Sequence, residues 1–139
     1  MKNILLMILI SLSAYSQPQV FNVQQYCVDE APFRKGQCDI SGNEYSFVFL
    51  DTQKKDVTFF FTDTKFKYKI TNSQPDTKTG LTTYSLSGDN GNLEMKINSA
   101  KTNIEFLYPE THIYLMVGKS TKLTSSKQSN SPYCTYPRR

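Results

Sequence analysis

The chain has 139 residues, with three cysteines, one histidine and no tryptophan. That length supports one domain and excludes two independent cores. Alanine occurs only at Ala14, Ala31 and Ala100, which argues against a helical bundle, whereas 14 threonines, nine tyrosines and nine phenylalanines favour strands.

Lys2 begins a short positive segment, and residues 4–12 (ILLMILISL) form an apolar run broken only by Ser11. Ala14-Tyr15-Ser16 places small residues at the −3 and −1 positions of a cleavage site before Gln17. The run is about half of the ~20 residues needed to span a bilayer. Residues 1–16 are therefore predicted to be a removable export signal. The mature chain is expected to be secreted or periplasmic, with no transmembrane segment.

Residues 17–118 are predicted to form one β-domain, and residues 119–139 a flexible polar tail. The charge divides the same way: the tail carries five bases and no acid, and the body 10 bases and 12 acids. The basic balance therefore belongs to the tail, and nucleic acid is not an expected partner of the slightly acidic body. Residues 133–137 (YCTYP) are apolar enough to dock back onto the domain.

In chain order, residues 19–27 (QVFNVQQYC) read as a first strand with Phe21, Val23, Gln25 and Cys27 on one face. Residues 28–42 read as a loop, punctuated by Pro32, Gly36, Asp39 and Gly42. Residues 65–71 (KFKYKIT) alternate cleanly, with Phe66, Tyr68 and Ile70 inward and Lys65, Lys67 and Lys69 outward. On that reading the lysines and rings of this strand lie on opposite faces and form no mixed platform. Residues 72–80 read as a polar loop. Tyr84 and Leu86, then Leu93, Met95 and Ile97, then Ile104, Phe106 and Tyr108, continue the period of two. Gly88-Asp89-Asn90-Gly91 is a hairpin signal, because Asn and Gly tolerate positive φ. Strands at roughly ten-residue spacing with tight turns predict an all-β antiparallel meander of about six to eight strands, either a small barrel or a two-sheet sandwich.

Three strands are apolar on both faces. In EYSFVFL, Tyr45, Phe47 and Phe49 oppose Val48 and Leu50. In DVTFFFT, Val57, Phe59 and Phe61 oppose Phe60, and in THIYLMV, Ile113, Leu115 and Val117 oppose His112, Tyr114 and Met116. A meander buries one face, so Val48, Leu50, Phe60, Tyr114 and Met116 form the candidate second face. Either another segment of the chain covers it, or it binds a partner.

An extracytoplasmic chain permits a disulfide. Loop closure favours Cys27–Cys38 over either pairing with Cys134, which leaves Cys134 free or intermolecular. A dimer through Cys134 is one expectation.

A single histidine, His112, excludes multi-histidine metal sites and HExxH motifs. No GxSxG, GxGxxG, P-loop or CxxC pattern occurs. Asp51/Asp56 and Glu94/Glu105 are the cross-strand carboxylate pairs a small hydrolase would need. No catalytic residue, metal or cofactor is predicted. The leading expectation is a non-catalytic exported module that binds a protein, an envelope polymer or an apolar ligand. A paired-carboxylate hydrolase and a cysteine-linked assembly subunit are the alternatives.

Overall fold

A computed structural model describes residues 17–33, 38–118 and 121–122. The predicted export signal, the tail beyond Lys122 and Cys134 lie outside the described residues. Among the described residues there is no helix, hence none long and apolar enough to cross a membrane.

Ten strands follow in order: β1 (Gln19–Glu30), β2 (Ile40–Gly42), β3 (Ser46–Asp51), β4 (Asp56–Phe61), β5 (Thr64–Asp76), β6 (Leu81–Gly88), β7 (Gly91–Asn98), β8 (Asn103–Leu107), β9 (Thr111–Val117) and β10 (Thr121–Lys122). Each of β3 to β8 pairs antiparallel with the next in sequence, while β1 pairs with both β3 and β9. The meander therefore closes into an eight-stranded barrel rather than a sandwich, and closure gives each of these strands a neighbour on both sides over part of its length. β2 prolongs the line of β3 against β1, and β10 prolongs that of β9.

A barrel of eight strands is just wide enough for its own side chains to fill. Phe21, Phe59, Met95, Ile104 and Phe106 are fully buried inside it. The predicted inward sets of β5, β7, β8 and β9 all point into this core.

Two strands depart from the expected faces. In β1 the register shifts between Val23 and Gln25. Such a bulge re-aims every later side chain. Phe21 points in before it, and Tyr26 and Val28 after it, so Gln25 and Cys27 lie outside. In β3 the candidate second face is inverted. Val48 and Leu50 are core residues, 0% and 2% exposed, and Phe47 and Phe49 stand on the outer wall. The β3–β4 turn explains this. It pairs Asp51 with Asp56, so Leu50 meets Val57 and Val48 meets Phe59 across the hairpin, all on the inner face.

The segments read as loops also contribute strand. β1 runs on to Glu30, and β5 continues to Asp76 past a bulge at Ile70/Asn72. β4 pairs with β5 only as far as Lys69. Residues beyond it thus form an edge, where Pro75 needs no ladder partner for its missing N–H.

The three turns at the end of the barrel where β1 begins share one device. Each leaves its strand at a side chain that caps the following amides. Asp51 Oδ1 accepts from Gln53 and Lys54 N–H at 3.1 and 3.0 Å. Asp76 Oδ1 accepts from Lys78 N–H at 2.8 Å. Asn98 Oδ1 accepts from Thr102 and Asn103 N–H at 2.9 and 3.0 Å. These Asx contacts replace backbone bonds that the turn cannot make.

Candidate functional site

The inverted β3 face creates a site on the outer wall of β3, β4 and β5. The registers align Phe47 with Phe60 and Phe60 with Lys65, and one step along, Phe49 with Thr58 and Thr58 with Lys67. An aromatic column of Tyr45, just before β3, and Phe47 and Phe49 on it thus runs beside a lysine column on β5, with β4 between them.

The rings interlock. Phe47 and Phe60 stack with centroids 4.2 Å apart and planes 22° apart. Tyr45, 76% exposed, meets Phe47 edge-on at 5.8 Å. Lys65 Nζ lies 5.0 Å from the Phe60 centroid, a cation–π distance. The predicted opposition of lysines and rings holds within β5, where Phe66 and Tyr68 point inward. It fails across strands, because Phe60 of β4 brings a ring under Lys65. A shallow groove of about 580 Å³ continues the wall, where Lys54, Lys67 and Lys69 alternate with Asp51, Asp56 and Asp89 around Phe49 and Thr58. Lys69 is ion-paired with Asp56, which leaves Lys65 and Lys67 as the β5 cations on this wall.

The residue before Tyr45 is anchored to β1. The Tyr26 hydroxyl donates to the Glu44 carboxylate, and this bond holds Glu44 below the usual carboxylate range and raises Tyr26.

Of the predicted patch, Phe60 belongs to this wall. Tyr114 and Met116 are outward on β9, 36% and 52% exposed, beside Cys27 and Gln25 of β1. Val48 and Leu50 join neither surface. Cys27 and Cys38 are bonded as a disulfide, Cα atoms 5.6 Å apart. It tethers the segment carrying Phe33, whose ring stacks on His112 at 3.7 Å and 6°. That stack covers part of the β9 outer face. The Tyr114 hydroxyl lies 3.3 Å from His112 Nδ1. Burial, then the charges of Glu105 and Asp29, push the Tyr114 hydroxyl up.

Asp51 and Asp56 are cross-strand partners as anticipated, but both are committed, Asp51 to the turn amides and Asp56 to Lys69. Glu94 and Glu105 are not direct partners: Glu94 faces Leu107 and Glu105 faces Lys96. Among the described residues, no group of three His, Cys, Asp or Glu side chains is placed to hold a metal ion.

Tyr45, Phe47 and Phe49 escaped the sequence reading as wall residues because both β3 faces are apolar. The available signal was the acid at each end of the β3–β4 turn, which fixes the pairing and places Leu50 with Val57. No family model, curated protein or solved structure matches the chain.

Proposed function

We propose that this protein is a non-catalytic extracytoplasmic module that docks an acidic protein partner on its β3–β5 wall. The observation that carries the reading is the column of Tyr45, Phe47 and Phe49 beside Lys65 and Lys67. Rings supply most of the energy of protein interfaces, and charges at their border supply orientation and encounter rate.

The ring arrangement favours a polypeptide over a sugar or a base. Phe47 and Phe60 turn one face to each other, and Lys65 occupies the other side of Phe60. What Phe60 leaves open is its edge, which carries partial positive charge. Ring edges beside ammonium groups suit carboxylates on an apolar surface. The packed interior adds support, since an interior filled by Phe59 and Phe106 holds no buried ligand. The predicted export signal and the Cys27–Cys38 bond support an exported, oxidising setting.

The test maps backbone amide shifts while titrating an alternating Glu-Leu decapeptide, with polygalacturonate as the acidic sugar polymer. Shifts confined to β3–β5 with the peptide, abolished in a folded Phe60→Asp variant and weakened in Lys65→Glu, are expected. Shifts with polygalacturonate alone would replace the protein partner by an envelope polymer. A Phe60→Asp chain that does not fold would make the ladder a structural element, and the reading would then rest on Lys65→Glu: unchanged peptide binding in that variant overturns it.

A further inference from the structure

The end of the barrel where β1 finishes carries a second concave site, independent of the outer wall. Here the β4–β5, β6–β7 and β8–β9 turns surround inward-facing side chains that the core does not fully cover. Phe66 and Tyr108 are only partly buried, packed against the core from above. With Pro109 and Ile113 they line a cleft of about 540 Å³, and Asn90 and Glu110 stand at its rim. That volume falls within the ~300–1,000 Å³ of small-molecule sites, which favour barrel mouths.

Its parts are fixed in advance. The Tyr108 and Tyr68 hydroxyls are 2.5 Å apart, so the polar end of Tyr108 is engaged and its ring is held in place. Tyr108 N–H donates to the Thr111 carbonyl at 2.9 Å, and Ala31 N–H donates to the Glu110 carbonyl at 3.0 Å. The rim turn is therefore tied both to itself and to the end of β1. Such preorganisation lowers the cost of binding. The opposite end of the barrel differs: its depression is smaller, about 310 Å³, and has Lys55, Asn72 and Ser73 in its lining.

Charge sets the ligand class. Glu110 is the one ionised side chain among the described residues lining the mouth cleft. Apolar rings below a carboxylate match a molecule with an apolar body and a cationic head, held by burial, by cation–π attraction and by the carboxylate. We infer that the barrel mouth binds a small amphipathic amine or quaternary ammonium compound, with its apolar body against Phe66, Tyr108 and Ile113 and its head at Glu110.

The experiment titrates the full mature chain with octyltrimethylammonium, and in parallel with octanoate, below micelle-forming concentrations. Amide shifts locate the site, and tyrosine fluorescence follows saturation. Saturable binding of the ammonium compound is expected, with shifts at residues 66, 90, 108 and 110–113. Its affinity should exceed that of octanoate by about fivefold, the size of one exposed ion pair with a cation–π contact. Glu110→Gln, an exposed change that leaves the melting temperature in place, should reduce the preference to the part the rings supply. Absence of saturation, equal affinity for octanoate, a preference undiminished in Glu110→Gln, or shifts centred on residues 45–60 of the outer wall would each overturn the inference. The last outcome would also leave the outer-wall reading standing by itself.

Discussion

Phe59 and Phe106 stack face to face through the centre of the barrel, ring centroids 4.7 Å apart and planes 8° apart. They come from β4 and β8, which lie on opposite sides of the closed sheet. Each is fully buried, and Phe59 also contacts the rings of Phe61 and Phe66 at 5.5 and 6.0 Å. One aromatic pair therefore spans the interior and joins walls that share no backbone hydrogen bond. Phe106→Ala should cost about 3–5 kcal/mol, since it removes buried apolar surface and leaves a cavity that a closed barrel cannot collapse into. Phe60→Ala, on the outer face of the neighbouring position, should cost about 1 kcal/mol or less, the range of a cross-strand pair. Urea unfolding of both variants checks the contrast, and equal losses would contradict the assignment of faces.

A second pair spans the barrel nearer its mouth. Burial, followed by the hydrogen bond with Tyr108, pushes the Tyr68 hydroxyl up, and burial also raises Tyr108 and Tyr84. The sign follows from which state keeps its protons. Below the ordinary tyrosine value near pH 10 both states are neutral, and the full stability is present. Above it the unfolded chain ionises while the folded one resists, so stability falls as pH rises. The slope is up to about 1.4 kcal/mol per pH unit for each such tyrosine, less where water reaches the hydroxyl. Tyr68→Phe should flatten that alkaline loss, measured by urea unfolding between pH 8 and 11. At neutral pH the same variant should cost about 1–3 kcal/mol, because it strips the Tyr108 hydroxyl of its partner. The double variant with Tyr108→Phe should recover part of that cost.

Where one face of a strand is polar, alternation alone was enough to orient it. Lys65, Lys67 and Lys69 fix Phe66, Tyr68 and Ile70 inside, and Glu94 and Lys96 do the same for Met95. β3 offers no such marker, so its faces are decided by pairing across the turn, a tertiary relation that periodicity does not contain. The β1 bulge is hidden for a related reason: one extra residue in a strand leaves no compositional trace in FNVQQY. Polar composition also concealed the outer half of β5, since an edge segment buries little and looks like a loop. The site suffered most from this. Phe60, Tyr114 and Met116 were legible as outward, but the ladder with Phe47 and Lys65 depends on registers between three strands, and the mouth cleft on turns that meet only when the barrel closes.

The disulfide makes a separable contribution. Cys27 lies on the outer wall of β1, and Cys38 lies eleven residues on in sequence. Asp39 reinforces the closure: its N–H donates to the Val28 carbonyl at 3.0 Å, and its carboxylate accepts from Glu30 N–H at 2.8 Å. A loop of this size contributes about 2–3 kcal/mol in the chain-entropy account. A Cys27→Ser/Cys38→Ser variant should lose about that much in urea unfolding and keep the barrel, because neither sulfur sits in the core. Reductant should lower the stability of the wild type to match, and Cys134→Ser should leave it unchanged. A Cys134→Ser variant as unstable as the double serine would show that Cys134 holds the bridge instead.

The turn between β6 and β7 tests backbone freedom and packing at neighbouring glycines. Gly91 has φ of +99°, and a Cβ there would meet nothing within 4 Å. Gly91→Ala should therefore cost about 1–2 kcal/mol from the left-handed backbone alone. At Gly88 no positive φ is involved, but a Cβ would lie 2.6 Å from Tyr68 Cδ1 and 2.8 Å from the Lys67 carbonyl oxygen. The carbonyl is backbone within the β5 ladder, and the Tyr68 ring is held at its far end by Tyr108. Neither can yield cheaply, so Gly88→Ala should cost about 1–3 kcal/mol. Pairing it with Tyr68→Ala separates the causes. If the ring is the obstacle, the double variant is less unstable than the sum of the two singles; if the carbonyl is, the losses add.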